Sequence, residues 1–155
     1  MNSAQLHLLA VHLPVLACPA ATLLLLLARV LRNETLFHTG CAFLVFGALS
    51  AAAAYFSGPG AYASLALPAG PERALAEAHG ALGKGAFMGM VLGGLAALLA
   101  LLQVGQGERV SPWLRWSLLV AALVLSWLLA WTAHQGGLIR HDELRALSLP
   151  LFPRL

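Results

Sequence analysis

MNSAQLHLLAVHLPVLACPAATLLLLLA, residues 1–28, contains no Lys, Arg, Asp or Glu and closes on Arg29 and Arg32. A charge at mid-bilayer costs about 2.5–3.5 kcal/mol on insertion scales, and roughly 20 apolar residues suffice to cross the hydrocarbon core. The stretch therefore reads as a membrane span. Working outward, the same criterion gives a first helix at about 5–29 and a second at about 36–56, the latter ending in the loop signal Ser57-Gly58-Pro59-Gly60. A third, at 71–104, opens on Pro71-Glu72 and stops before Gly105 and Gly107. The fourth follows Ser111-Pro112, covers about 112–136, and leaves a tail at 137–155. Trp113 and Trp116 at its start and Trp127 and Trp131 toward its end suit the two interfaces, although Trp127 could equally be core. The expected fold is a single all-α domain, a four-helix transmembrane bundle with both termini on one side.

Composition agrees. Of 155 residues 60% are hydrophobic and 10% charged, against about a quarter charged in soluble domains. A net charge of +3, scattered along the chain, gives no basic face for nucleic acid. After four spans no room is left for a soluble catalytic domain, and no HExxH, phosphate loop or intramembrane carboxylate pair is present. The first span lacks a basic n-region, and His7, His12 and Pro14 interrupt its apolar run, so it reads as a retained helix rather than a removable signal. Cys18 and Cys41 lie in spans without a CxxCH, which excludes covalent haem attachment and leaves small packing residues.

Arg29, Arg32, Arg109 and Arg115 flank the two tight connections. Arg73, Lys84, Arg140, Arg145 and Arg154 lie on the terminal side, diluted by Glu72, Glu77, Asp142 and Glu143. The positive-inside balance is close, and the absence of a basic residue at the N-terminus decides for termini outside, on the periplasmic side.

Six histidines in so apolar a chain need an explanation. His7 and His12 open helix one, His79 stands in the first turns of helix three, His134 ends helix four and His141 lies beyond it, all on the terminal side. His38 is alone on the other side and reads as a solvated helix-end residue. At a rise of about 1.5 Å per residue His12 and His134 share one level, and His79 and His141 a second, about 10 Å further out. His7 and His12 are about 140° apart on a regular helix, so they cannot both point at one metal. Imidazole is the commonest metal ligand and the usual axial ligand of non-covalent haem. The expected cofactor is therefore a b-type haem on His12, His79, His134, His141 and His7, with His12–His134 and His79–His141 as the candidate pairs. The competing expectation is a Cu, Zn or Fe ion on His12, His79, His134 and His141. Lys84, Arg73, Arg140 and Arg145 are candidates to pair with haem propionates or lipid phosphate, against the plain alternative that Lys84 snorkels to headgroups. Gly85, Gly89 and Gly93 form a small-residue stripe on helix three, read first as helix packing.

Two passages also resemble a known family. The start, His7-Leu-Leu-Ala-Val-His12-Leu-Pro14, is similar to the H-x4-H-[FL]-P opening of a family of small four-helix bacterial membrane domains of undefined function. The end, His134-Gln-Gly-Gly-Leu-Ile-Arg-His141, is similar to that family's H-x-G-G-x-L-x-H signature, and His79 matches the histidine at the head of its third helix. Asp142 replaces the family's usual Gly after the last histidine, and Leu13 its commoner Phe. Members occur alone or fused to c-type cytochrome modules, so the resemblance implies a redox setting in a bacterial inner membrane. The leading expectation is an electron-transfer protein or subunit, partnered by the lipid bilayer and by a c-type cytochrome or respiratory complex. The alternatives are a transition-metal-binding membrane protein and a structural subunit of a respiratory complex.

Overall fold

A computed structural model describes residues 2–67, 69–141 and 143; the expectations placed on Asp142, Arg145, Arg154 and the rest of the tail lie outside the described residues. It contains four helices: α1 (Ser3–Leu31), α2 (Glu34–Leu65), α3 (Pro71–Gly105) and α4 (Pro112–Leu138). Each is long and apolar enough to cross a membrane. Local chemistry sets their starts. Asn2, Asn33 and Ser111 accept hydrogen bonds from the amides of Gln5, Leu36 and Leu114, and Pro71 and Pro112 sit at the openings of α3 and α4, where a missing N–H costs nothing. Arg32 in the left-handed region (φ 50°) closes α1 and turns the chain directly into α2.

Each helix packs on its neighbours in sequence, and α4 closes back on α1. The interior is built from small side chains. On α1 the buried face is Ala10, Pro14, Ala17, Cys18, Ala21, Leu25 and Ala28, while Leu16, Leu23 and Val30 point outward. This inverts the pattern of a soluble bundle. Lipid solvates leucine as well as a protein core does, so close approach of backbones decides which face turns inward. Gly40 receives Leu25, and Gly89 and Gly93 receive the two methyls of Leu125, so the glycine stripe of α3 serves helix packing; Gly85 faces open space. The Cys18 thiol donates to the Ala122 carbonyl at 3.5 Å, and Thr22 and Ser126 share a 3.0 Å bond, both joining α1 to α4. Trp127 is exposed and leans on Trp131, not in the core.

Two helix ends depart from the expected boundaries. Ser57-Gly58-Pro59-Gly60 does not end α2, which runs on to Leu65 with Pro59 inside it. The fourth helix, expected to about 136, reaches Leu138 with Gly136 and Gly137 inside it. In both places glycine provides close approach rather than a turn. A Cβ on Gly60 would stand 2.7 Å from the Ser3 hydroxyl, and one on Gly136 would stand 3.0 Å from the His79 ring.

Candidate cofactor site at the histidine end

The inward face of α1 begins with His7, one turn before buried Ala10, and that of α3 carries His79, one turn after buried Ala76. Both rings are half-buried, one from each of two helices that alternate around the bundle. His7 Nδ1 lies 2.9 Å from the Ala54 carbonyl of α2 and 3.3 Å from the Ser57 hydroxyl. His79 Nδ1 lies 3.0 Å from the Thr132 carbonyl of α4. A carbonyl only accepts, so each Nδ1 carries the proton and donates. In the neutral ring Nε2 would then keep the lone pair, the form in which imidazole binds a metal.

The two clamps share one design. The carbonyl that receives the imidazole belongs to a residue four positions before a glycine, Ala54 before Gly58 and Thr132 before Gly136. In each case the ring lies over that glycine: a Cβ on Gly58 would stand 3.6 Å from His7 Cε1, and one on Gly136 3.0 Å from His79 Cε1. The rings approach to 6.4 Å between centroids with planes at 87°. All four helices thus contribute, α1 and α3 the imidazoles, α2 and α4 the carbonyls that orient them.

The space around the pair is lined by little. Ala10, Ala54, Ala61 and Ala76 are buried near this end together with Thr132, Gln135 and Ile139 of α4, whereas the largest fully buried side chains, Leu44, Met90 and Leu118, lie deeper in the bundle. A Cβ on Gly80 or Gly83, beside and one turn below His79, would meet nothing within 4 Å.

The remaining sequence candidates stand elsewhere. His79 meets His7, not His141: His141 is exposed beyond α4, with Nδ1 2.8 Å from Glu143. A hydrogen bond from its own backbone amide, and then the His141 ring, hold the Glu143 carboxyl below the usual carboxylate range. His12 is exposed on the outer face of α1 and donates to the Leu8 carbonyl of its own helix. His134 is half-buried on the side of α4 that carries Trp131 and Leu138, a step around from the Thr132–Gln135–Gly136 face. Depth along the chain paired these residues by level, but rotation about each helix decides which imidazole turns inward. His38 lies edge-on to Phe37 at the opposite end. Arg73 is engaged by Glu77 at 3.1 Å, and Lys84 and Arg140 are exposed. Among the described residues no group of three or more His, Cys, Asp or Glu is placed to hold a metal ion.

Sequence reading missed the orienting partners, Ala54, Ser57 and Thr132, because a backbone carbonyl has no residue signature. The usable signal was the small-residue stripe. Ala10, Pro14 and Ala17 extend backward to His7, and Ala86 through Gly83 to His79. Compared with protein families, with curated proteins and with solved structures, the chain matches none.

Proposed function

We propose that this chain is an electron-transfer protein of the bacterial inner membrane that holds a b-type haem between His7 and His79. The matched pair of clamps carries this reading. The ring centroids of His7 and His79 lie 6.4 Å apart and each Nδ1 donates to a backbone carbonyl, so in the neutral rings Nε2 would be the atom on each that holds the iron. Ala10 beside His7, and Gly83 one turn below His79, where a Cβ would meet nothing within 4 Å, are small enough to let an apolar ring come close. Bound haem would supply one-electron redox chemistry. The chain's own part is to fix both tautomers through Ala54 and Thr132, to keep water from the iron side with apolar helix faces, and to offer the site at one end of the bundle. The basic residues are close to balanced between the two ends, and an N-terminus without a basic residue favours the histidine end as the periplasmic one. A c-type cytochrome or respiratory-complex partner there accords with the family resemblance of the terminal motifs.

A bare Zn, Cu or Fe ion on the same imidazoles is weaker, because such ions ask for three or four protein ligands and two converge here. A purely structural role is the second reading, in which the clamps serve only as interhelical hydrogen bonds, contributing about 0.6–2 kcal/mol each in lipid. Absorption spectroscopy and elemental analysis of protein purified from haem-replete cells separate the three. The proposal expects a Soret band and about one iron per chain; metal without porphyrin supports the ion, and neither supports a purely structural role.

A further inference from the structure

At the end opposite the histidines, a cleft of about 290 Å³ opens where α1 ends and α2 and α4 begin. Its floor is apolar, made by Leu25, Ala28, Phe37 and Leu119, and its mouth carries Arg29, Arg32 and Arg115 against one acid, Glu34. The wall is rigid. Arg115 bonds Glu34 at 2.6 Å, lies 4.1 Å over the Phe37 ring and reaches the Val110 carbonyl at 3.4 Å. Arg29 lies 5.0 Å over the Trp116 ring. A guanidinium held over an aromatic ring keeps its charge at the mouth of the cleft, and its planar N–H fork matches phosphate oxygens. Neither Arg29 nor Arg32 makes an ion pair among the described residues, so the mouth keeps uncompensated positive charge.

We infer that this cleft binds the phosphate group of an anionic phospholipid, with Arg29 and Arg32 on the phosphate and an acyl chain over Leu25 and Leu119. A free anion would use the arginines but has nothing to place on the apolar floor. A zwitterionic lipid brings the same phosphate together with a cation that the arginines repel. The starts of α2 and α4, at Glu34 and Pro112, add the positive ends of two helix dipoles to the same mouth. The site does not depend on the histidine pair.

Native mass spectrometry of the delipidated full chain in detergent tests it, with phosphatidylglycerol, phosphatidylcholine and inorganic phosphate as probes. One phosphatidylglycerol should be retained per chain at concentrations where phosphatidylcholine is not. The double variant R29Q/R32Q should weaken that binding about 30-fold, the loss expected for two basic residues beside a lipid phosphate. R29K/R32K, which keeps the charge and loses the planar forks, should bind more weakly than the native chain and more tightly than R29Q/R32Q, while Arg109→Gln, which removes an exposed charge from the same end without touching the cleft, should stay within about threefold. Equal retention of phosphatidylcholine, an unaffected R29Q/R32Q protein, or equal loss in the Arg109 variant would overturn the assignment. Displacement of the lipid by equimolar inorganic phosphate would overturn its lipid part.

Discussion

His7 in the first hairpin and His79 in the second donate to carbonyls at 2.9 and 3.0 Å, yet the space around the two rings differs. A Cβ at Gly58 would make ordinary contact with His7 at 3.6 Å, whereas one at Gly136 would crowd His79 at 3.0 Å. His7 also has the Ser57 hydroxyl within reach, while His79 has the Thr132 carbonyl alone, because the Thr132 hydroxyl is turned to Leu128. The second clamp is therefore the stiffer one, and the first can give. Under the proposed function, one imidazole is fixed and the other adjusts to the guest.

Removing either imidazole breaks the comparison most severely. His79→Ala and His7→Ala should each lower haem affinity roughly 100-fold or more, beyond the 10–100-fold typical of losing an orienting partner. Added imidazole should restore the absorption spectrum in both, more fully for His7→Ala; a purely structural clamp would show no such rescue. Next in size, Gly136→Ala should cost about tenfold in haem affinity by pushing the ring off the Thr132 carbonyl, while Gly58→Ala should stay within about twofold, as titration of apoprotein with haemin would read. Equal effects at the two glycines would remove the asymmetry. A third, more gradual effect is pH. Ligation needs neutral imidazoles, so acid should compete with the metal for Nε2 and haem retention should fall as pH is lowered, returning when it is raised. The smallest change belongs to His12→Ala and His141→Ala, whose rings are exposed and turned to Leu8 and Glu143; both should leave the spectrum unaltered and shift stability by no more than about 0.5 kcal/mol.

The four spans were legible because charge is excluded from lipid whatever the partners do, and residues 1–28 alone carry that message. The ends of α2 and α4 were not, since Ser57-Gly58-Pro59-Gly60 and Gly136-Gly137 have the local chemistry of turns and only the neighbouring helix shows that they make room for Ser3, His7 and His79. For the histidines, counting along the chain grouped His12 with His134 and His79 with His141, whereas the rings that meet are His7 and His79. Counting residues along each helix measures depth and says nothing of rotation. Rotation was written in the alanines and glycines. Ala10, Pro14 and Ala17 mark the inner face that includes His7 and leaves out His12, a pattern concealed by leucines that in lipid belong outside.

Electron paramagnetic resonance of the oxidised, haem-replete protein addresses the joint grip of His7 and His79 most directly. The account predicts a low-spin ferric signal in the native chain that becomes high-spin when either residue is replaced by alanine and persists when His12 or His141 is. A native protein without a haem signal, or a low-spin signal that survives in both the His7 and the His79 variants, would contradict it.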